Sequence, residues 1–246
     1  TAREISRILR YPHADDVDTF FGGRVELISF KVSDTPEFFV GKSVSQVFTR
    51  DMGILLAVVI RENQAIIPNG DFVFQQSDVV KILGRPSRIM KFLVNIKRRP
   101  KKSQEVMVIG GGKITRYLVE LLNRHMTKPI IKIVEKDREK CEALHDSFSS
   151  DPLSKRCLFI HGDGTNEELL ITEEIDKMDA FICLTDRDEE NVFISLYALR
   201  RGVKNVITKV NYLHQNMAKN LGLERIITPQ NITAKTVVRY VDGLIG

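Results

Sequence analysis

The sequence predicts an α/β protein in which a doubly wound parallel sheet follows a smaller α+β unit. Two observations point there. From about residue 103 onward, short apolar runs alternate with amphipathic stretches of helical length, the rhythm of parallel strands joined by crossover helices. Upstream, the apolar runs lie closer together and are separated by turn residues, as hairpins require.

In the upstream part, residues 24–30 alternate apolar and polar side chains and predict a half-buried strand. Residues 40–50 place Val44, Val47 and Phe48 at helical spacing, which predicts a short helix. Residues 54–60 form an unbroken apolar run, a buried strand, and 65–68 and 79–83 predict two more strands around the turn Asn69-Gly70-Asp71. A unit of about 60 residues is too small to enclose a roomy active site by itself. Downstream, strands are predicted at 106–109, 130–134, 158–160, 181–184, 206–210 and 226–227. Helices are predicted at 114–125, 137–148 and 189–201.

Of the 246 residues, 43% are hydrophobic and 28% charged, which predicts a globular chain and excludes a disordered one. The longest apolar run, 54–60, is far too short to span a bilayer, and the start TAREISRILR is charged where a secretory leader would be apolar. Three cysteines (Cys141, Cys157, Cys183) are odd in number and fit no metal-ligand spacing, so a reducing cytoplasm is expected. The net charge of +5 is local. Residues 85–102 hold eight basic side chains (Arg85, Arg88, Lys91, Lys97, Arg98, Arg99, Lys101, Lys102) and no acid. No groove-reading motif accompanies them, so nucleic acid is not expected as a partner. They predict a solvated basic linker, with an anionic partner as the alternative.

The chemistry concentrates in Gly110-Gly111-Gly112-Lys113-Ile114-Thr115, which follows a buried strand and opens a helix. Gly110 permits the tight turn. Gly112 lets a pyrophosphate approach the backbone N–H groups and positive dipole of the helix start. The third glycine of the G-x-G-x-x-G fingerprint is replaced by Thr115, so a slightly displaced helix is expected. Glu135 ends the second strand 25 residues after Gly110, where a carboxylate accepts from the adenosine ribose hydroxyls and repels a 2′-phosphate. NAD is therefore expected over NADP, with Lys136 and Arg138 nearby to soften the discrimination. Gly162-Asp163-Gly164-Thr165 closes the third strand at the same sheet edge, and Asp163 either serves the adenine side or caps the helix near Asn166. Thr185 and Asp186 line the other half of the cleft or cap the next helix. Lys209 ends the fifth strand, where an exposed lysine is the default.

Catalytic residues are not found. Tyr117, Tyr197, Tyr212 and Tyr240 all lack a lysine four residues on, His161 alone among histidines falls beside the cleft, and no nucleophile elbow occurs. Gly41-Lys42-Ser43 mimics a phosphate loop, but Pro36 stands where its first glycine belongs. The cleft is expected to bind a dinucleotide without using it.

The runs VMVIGGGKITRYLVELL, IVEKD, LFIHGDGTNEELL and LTDRDEENVFISL resemble the nucleotide-binding half of the TrkA family. These are cytoplasmic regulatory subunits of Trk potassium uptake systems, and their domains are also called RCK or KTN domains. Residues 24–84, from FFGGRVELISFKV to IIPNGDFVFQQSDVVKILG, resemble the family's small C-terminal subdomain. The resemblance implies five parts. Residues 1–23 would be the terminal helix and connection of a preceding nucleotide-binding unit, 24–84 the small RCK C-terminal-type subdomain and 85–102 the linker. Residues 103–232 would be a Rossmann-like domain and 233–246 a crossover helix. A match of residues 1–7 to 233–239, with three identities, agrees with a tandem repeat. Gly110, Gly112, Lys113, Glu135, Gly162, Asp163, Gly164, Thr165 and Asp186 match the family motif, while Gly111, Ile114, Lys136, Thr185 and Lys209 complete the expected site; Thr115 departs from the family glycine. The implied ligand is NAD or NADH, bound without turnover, with ATP, ADP or AMP as alternatives. The implied assembly is a homo-oligomer, from dimer to ring-like tetramer, peripheral on the inner face of the membrane beneath a Trk/Ktr-type potassium transporter. Two rivals remain: an NAD-dependent oxidoreductase fragment, and an assembly module that has lost nucleotide binding.

Overall fold

The computed structural model describes residues 1–11, 16–97, 105–125, 129–149, 155–211, 214–234 and 237–238. The chain divides into two compact units, one of Tyr11–Lys101 and one that joins Thr1–Arg10 to Lys102–Gly246. Helix α1 (Ala2–Arg10) belongs to the second of these. Its Ile5 and Leu9 are buried in one core with Leu118, Val119 and Leu122.

The smaller unit carries β1 (Asp16–Phe20), β2 (Val25–Lys31), α2 (Pro36–Phe39), α3 (Val44–Val47), β3 (Ile54–Arg61), β4 (Gln64–Ile66), β5 (Val79–Gly84) and α4 (Pro86–Asn95). Its sheet has the order β1-β2-β5-β3-β4 and is antiparallel throughout. Phe30, Phe39, Phe74, Ile89 and Phe92 fill its core. Two features depart from the sequence expectation. Residues 1–23 are predicted as a helix and a connection, yet β1 lies among them and pairs with β2, Asp18 opposite Leu27. Residues 85–102 are predicted as a solvated linker, yet α4 occupies the first half. Ile89, Phe92 and Leu93 point into the core at helical spacing, while Arg88 and Lys91 stay on the outer face. Arg98, Arg99, Lys101 and Lys102 lie outside the described residues.

The larger unit continues with β6 (Glu105–Ile109), α5 (Lys113–His125), β7 (Ile130–Glu135), α6 (Arg138–Phe148), β8 (Cys157–His161) and α7 (Glu167–Thr172). It ends with β9 (Ala180–Cys183), α8 (Asp188–Arg200), β10 (Asn205–Lys209), α9 (Gln215–Asn220) and β11 (Arg225–Ile227). All six strands are parallel, in the order β11-β10-β9-β6-β7-β8. The chain therefore leaves β6 toward one edge, then returns to lay β9 on its other side. This is the doubly wound Rossmann topology, with its switch point between β6 and β9. Successive β6 residues feed opposite faces, Val106 and Val108 into one core and Met107 and Ile109 into the other. Among the described residues, no helix is long and apolar enough to cross a membrane.

Candidate dinucleotide site

The loop from β6 to α5 sits at the switch point, where ligands of open α/β sheets collect. Gly110 has φ +101°, and its N–H donates to the Val134 carbonyl at 2.8 Å. A Cβ there would also press on the Leu184–Thr185 backbone at 3.1 Å, so both conformation and packing require glycine. Gly112 is different. Its φ is not left-handed, and an added Cβ would meet nothing within 4 Å. Neither the backbone nor the protein's own packing demands glycine here, and the lack of a side chain leaves open space beside the residue. Helix α5 starts at the next residue, and its first N–H groups have no intrahelical partners. Lys113 is exposed at that start, whereas the Ile114 side chain turns inward against the core.

Thr115 is fully buried, and its hydroxyl donates to the Gly110 carbonyl. The residue that replaces the fingerprint glycine thus ties the first turn of α5 back to the loop. Glu135, at the end of β7, lies against the same loop. Its Oε2 accepts from the Gly111 N–H at 2.5 Å and its Oε1 from the Asp137 N–H at 2.8 Å. Two backbone donors fix the carboxylate, and each oxygen keeps a second lone pair for a ribose hydroxyl.

At the end of β8, Gly162 and Gly164 leave room for Leu169 and Ile109, which a Cβ at either position would strike. Asp163 does not cap the following helix; Asn166 does, accepting from the Leu169 N–H at 3.2 Å. Asp163 instead accepts at Oδ1 from both the N–H (2.9 Å) and the hydroxyl (2.7 Å) of Thr165, and at Oδ2 from Lys136 Nζ at 2.6 Å. Lys136 first, then Thr165, hold its carboxyl down at about 2. The ring of His161 sits 3.2 Å from the Lys136 carbonyl.

The other half of the cleft is built around a residue that sequence reasoning missed. Asn191 on α8 is fully buried. Its Oδ1 accepts from the Thr185 N–H (3.1 Å) and hydroxyl (2.7 Å), and its Nδ2 donates to the carbonyls of Thr185 and Lys209 at 3.0 Å each. The available signal was a polar side chain in helical register with the buried Ile194, Ser195 and Ala198. Lys209 corrects the expectation of an exposed strand-end lysine. It is 9% exposed, and its Nζ donates to the Thr185 carbonyl at 2.8 Å and to Asp186 at 3.2 Å. It is buried because β10 is flanked by β9 and β11, so its end is roofed by the β9–α8 loop. Thr185 does not cap α8 in the expected way, since α8 begins at Asp188 with Arg187 as its cap residue, though the Thr185 hydroxyl accepts from the Arg187 N–H at 3.2 Å. The Asp186 side chain is fully exposed.

The expected residues thus gather at the carboxyl ends of five adjacent strands, β10, β9, β6, β7 and β8. Cys183, the thiol closest in sequence to the cleft, is fully buried, and desolvation pushes it up to about 12, so it stays protonated. Among the described residues, no group of three His, Cys, Asp or Glu could hold a metal ion.

The TrkA-N domain model matches residues 106–229, and the TrkA-C domain model matches residues 27–97. The chain belongs to the TrkA family. It is 30% identical over 241 residues to a Trk system potassium uptake protein TrkA homolog of Archaeoglobus fulgidus, with 98% of the chain and 52% of that relative covered. It is 29% identical over 248 residues to the TrkA protein of Halomonas elongata, with 96% and 50% covered. The chain therefore spans about half the length of these relatives. Among solved structures, a GsuK channel bound to NAD shares its fold with TM-score 0.62 and 17% identity, over 98% of this chain and 42% of that one.

Proposed function

We propose that this chain is part of a regulatory subunit of a potassium uptake system that binds NAD or NADH at the β6–α5 loop without consuming it. One observation carries the reading. Chain neighbours apart, a Cβ on Gly112 would meet no atom within 4 Å, and the residue stands between Gly111, whose N–H the Glu135 carboxylate holds, and the start of α5. Glycine there serves no internal purpose, and a phosphate-bearing ligand supplies one. In that site the loop and α5 N–H groups hold the pyrophosphate, Glu135 accepts from the adenosine ribose, and Asp163 borders the adenine side. The names of the relatives support the potassium-uptake context, and the NAD-bound channel supports the ligand class.

The bound nucleotide supplies a signal rather than a hydride. A ligand that binds two arrangements of a homo-oligomer with different affinities shifts their populations, and a transporter docked on that assembly responds. The site lies in the larger unit, and the partner is a Trk/Ktr-type membrane subunit reached from the cytoplasmic face. ATP, ADP and AMP share the adenosine-phosphate chemistry and compete as ligands. Thr115 favours a second reading, an assembly module without a ligand, because its side chain fills a position that this fingerprint keeps empty.

Calorimetric titration with NADH, NAD, ATP and NADP tests both. The expected result is saturable binding, with NADH or NAD preferred and no turnover on standing. Gly112→Asp should abolish that binding while circular dichroism stays unchanged, because its Cβ meets no atom within 4 Å and its carboxylate brings a negative charge to the start of α5 where the phosphates would lie. Absence of binding to any nucleotide by the wild-type chain would favour the assembly module.

A further inference from the structure

Lys136 directly follows Glu135, and in this fold a cation near that place accommodates a 2′-phosphate. A lone Lys136 would therefore pull against Glu135. It is not alone: Asp163, from the end of the neighbouring strand β8, engages its ammonium at 2.6 Å. The acid is itself pinned, because its other oxygen accepts from both the N–H and the hydroxyl of Thr165. Arg138, the next cation along the chain, is likewise taken up by Glu142 at 2.9 Å on the exposed face of α6.

We infer that Asp163 is a specificity residue: by holding Lys136 against itself, it withdraws the cation that would otherwise welcome a 2′-phosphate, and so enforces NAD over NADP. The inference rests on the nucleotide reading above and adds to it a residue outside the ribose-binding carboxylate. Lys136 and Asp163 are 68% and 36% exposed at their side chains, so the pair is weak and the effect is measured in multiples of affinity rather than in orders of magnitude.

The experiment measures Kd for NAD and NADP on the wild-type chain and on Asp163→Asn, Lys136→Gln and the double variant. The ratio of the two constants is the readout, since any contact of Asp163 with the adenine is common to both ligands and cancels. Asparagine keeps the shape and can still accept from Thr165, and equal melting temperatures would verify that the fold is retained. The expected result is that Asp163→Asn shifts the ratio roughly fivefold toward NADP. Lys136→Gln alone should leave the ratio near wild type, and the double variant should lose the gain. An unchanged ratio in Asp163→Asn overturns the inference. So does a gain that survives in the double variant, which would assign the effect to direct repulsion by Asp163. Should the wild-type chain bind neither dinucleotide, the nucleotide reading itself falls and takes this inference with it; NAD binding with an unmoved ratio removes the inference alone.

Discussion

Asn191 satisfies four backbone or hydroxyl groups from two different strand ends with one amide. Leucine has nearly the same shape and none of the chemistry. Asn191→Leu should therefore leave the Thr185 N–H and the Lys209 carbonyl without their partner in a buried place and cost about 2–4 kcal/mol. Chemical denaturation of the variant measures it, and a loss under about 0.5 kcal/mol, the size of an ordinary surface substitution, would contradict the network's structural role. Gly110, Gly112 and Glu135 were legible in the sequence because a tight turn and a strand-end acid leave local marks at fixed spacing. Asn191 and the burial of Lys209 were not, because the network joins β9, α8 and β10, and no spacing encodes which side chains meet across three elements. Asp163 was visible as a candidate with two roles open, and only the position of Asn166 removes the capping one.

Helix α4 makes the same point one level up. Eight positive charges over residues 85–102 dominate that stretch and drew the prediction of a linker, although Ile89, Phe92 and Leu93 carried helical periodicity all along. Charge count describes a whole segment, whereas a helix buries only one face, so the two signals never conflicted. Phe92 is 2% exposed and contacts the rings of Phe38, Phe39 and Phe48, with centroids 5.2–6.5 Å away. Phe92→Ala should cost about 3–5 kcal/mol, measured by denaturant unfolding of the small unit. A loss below 1 kcal/mol would mean that α4 is dispensable to that core. The parallel strands of the larger unit were each placed within a residue or two, since buried strands are continuous apolar runs. Strand β1 was missed because Asp16–Phe20 holds only two large apolar residues, and its pairing with β2 is what makes it a strand.

At the scale of the whole molecule, two cores flank the parallel sheet and a third lies in the smaller unit. A ligand held by the β6–α5 loop, Glu135 and the strand ends binds only when the parallel sheet is formed, so it stabilises the folded state by mass action. NADH at a hundred times its Kd should add about 2.7 kcal/mol to the stability of the unit that holds residues 102–246. Scanning calorimetry reads the shift, and no shift at saturating NADH would contradict coupling of the site to the sheet.

Helix α1 places a constraint on how this chain is made. Ile5 and Leu9 lie in the same core as Leu118, Val119 and Leu122, but residues 11–101 come between them in the sequence. During synthesis the helix leaves the ribosome before any strand of the sheet it packs against, and the smaller unit emerges while it waits. The contact between its apolar stripe and α5 forms only once α5 has been made, so this part of the core closes late. A fragment that starts at residue 102 would carry the opposite defect, an uncovered apolar strip along α5 where α1 belongs.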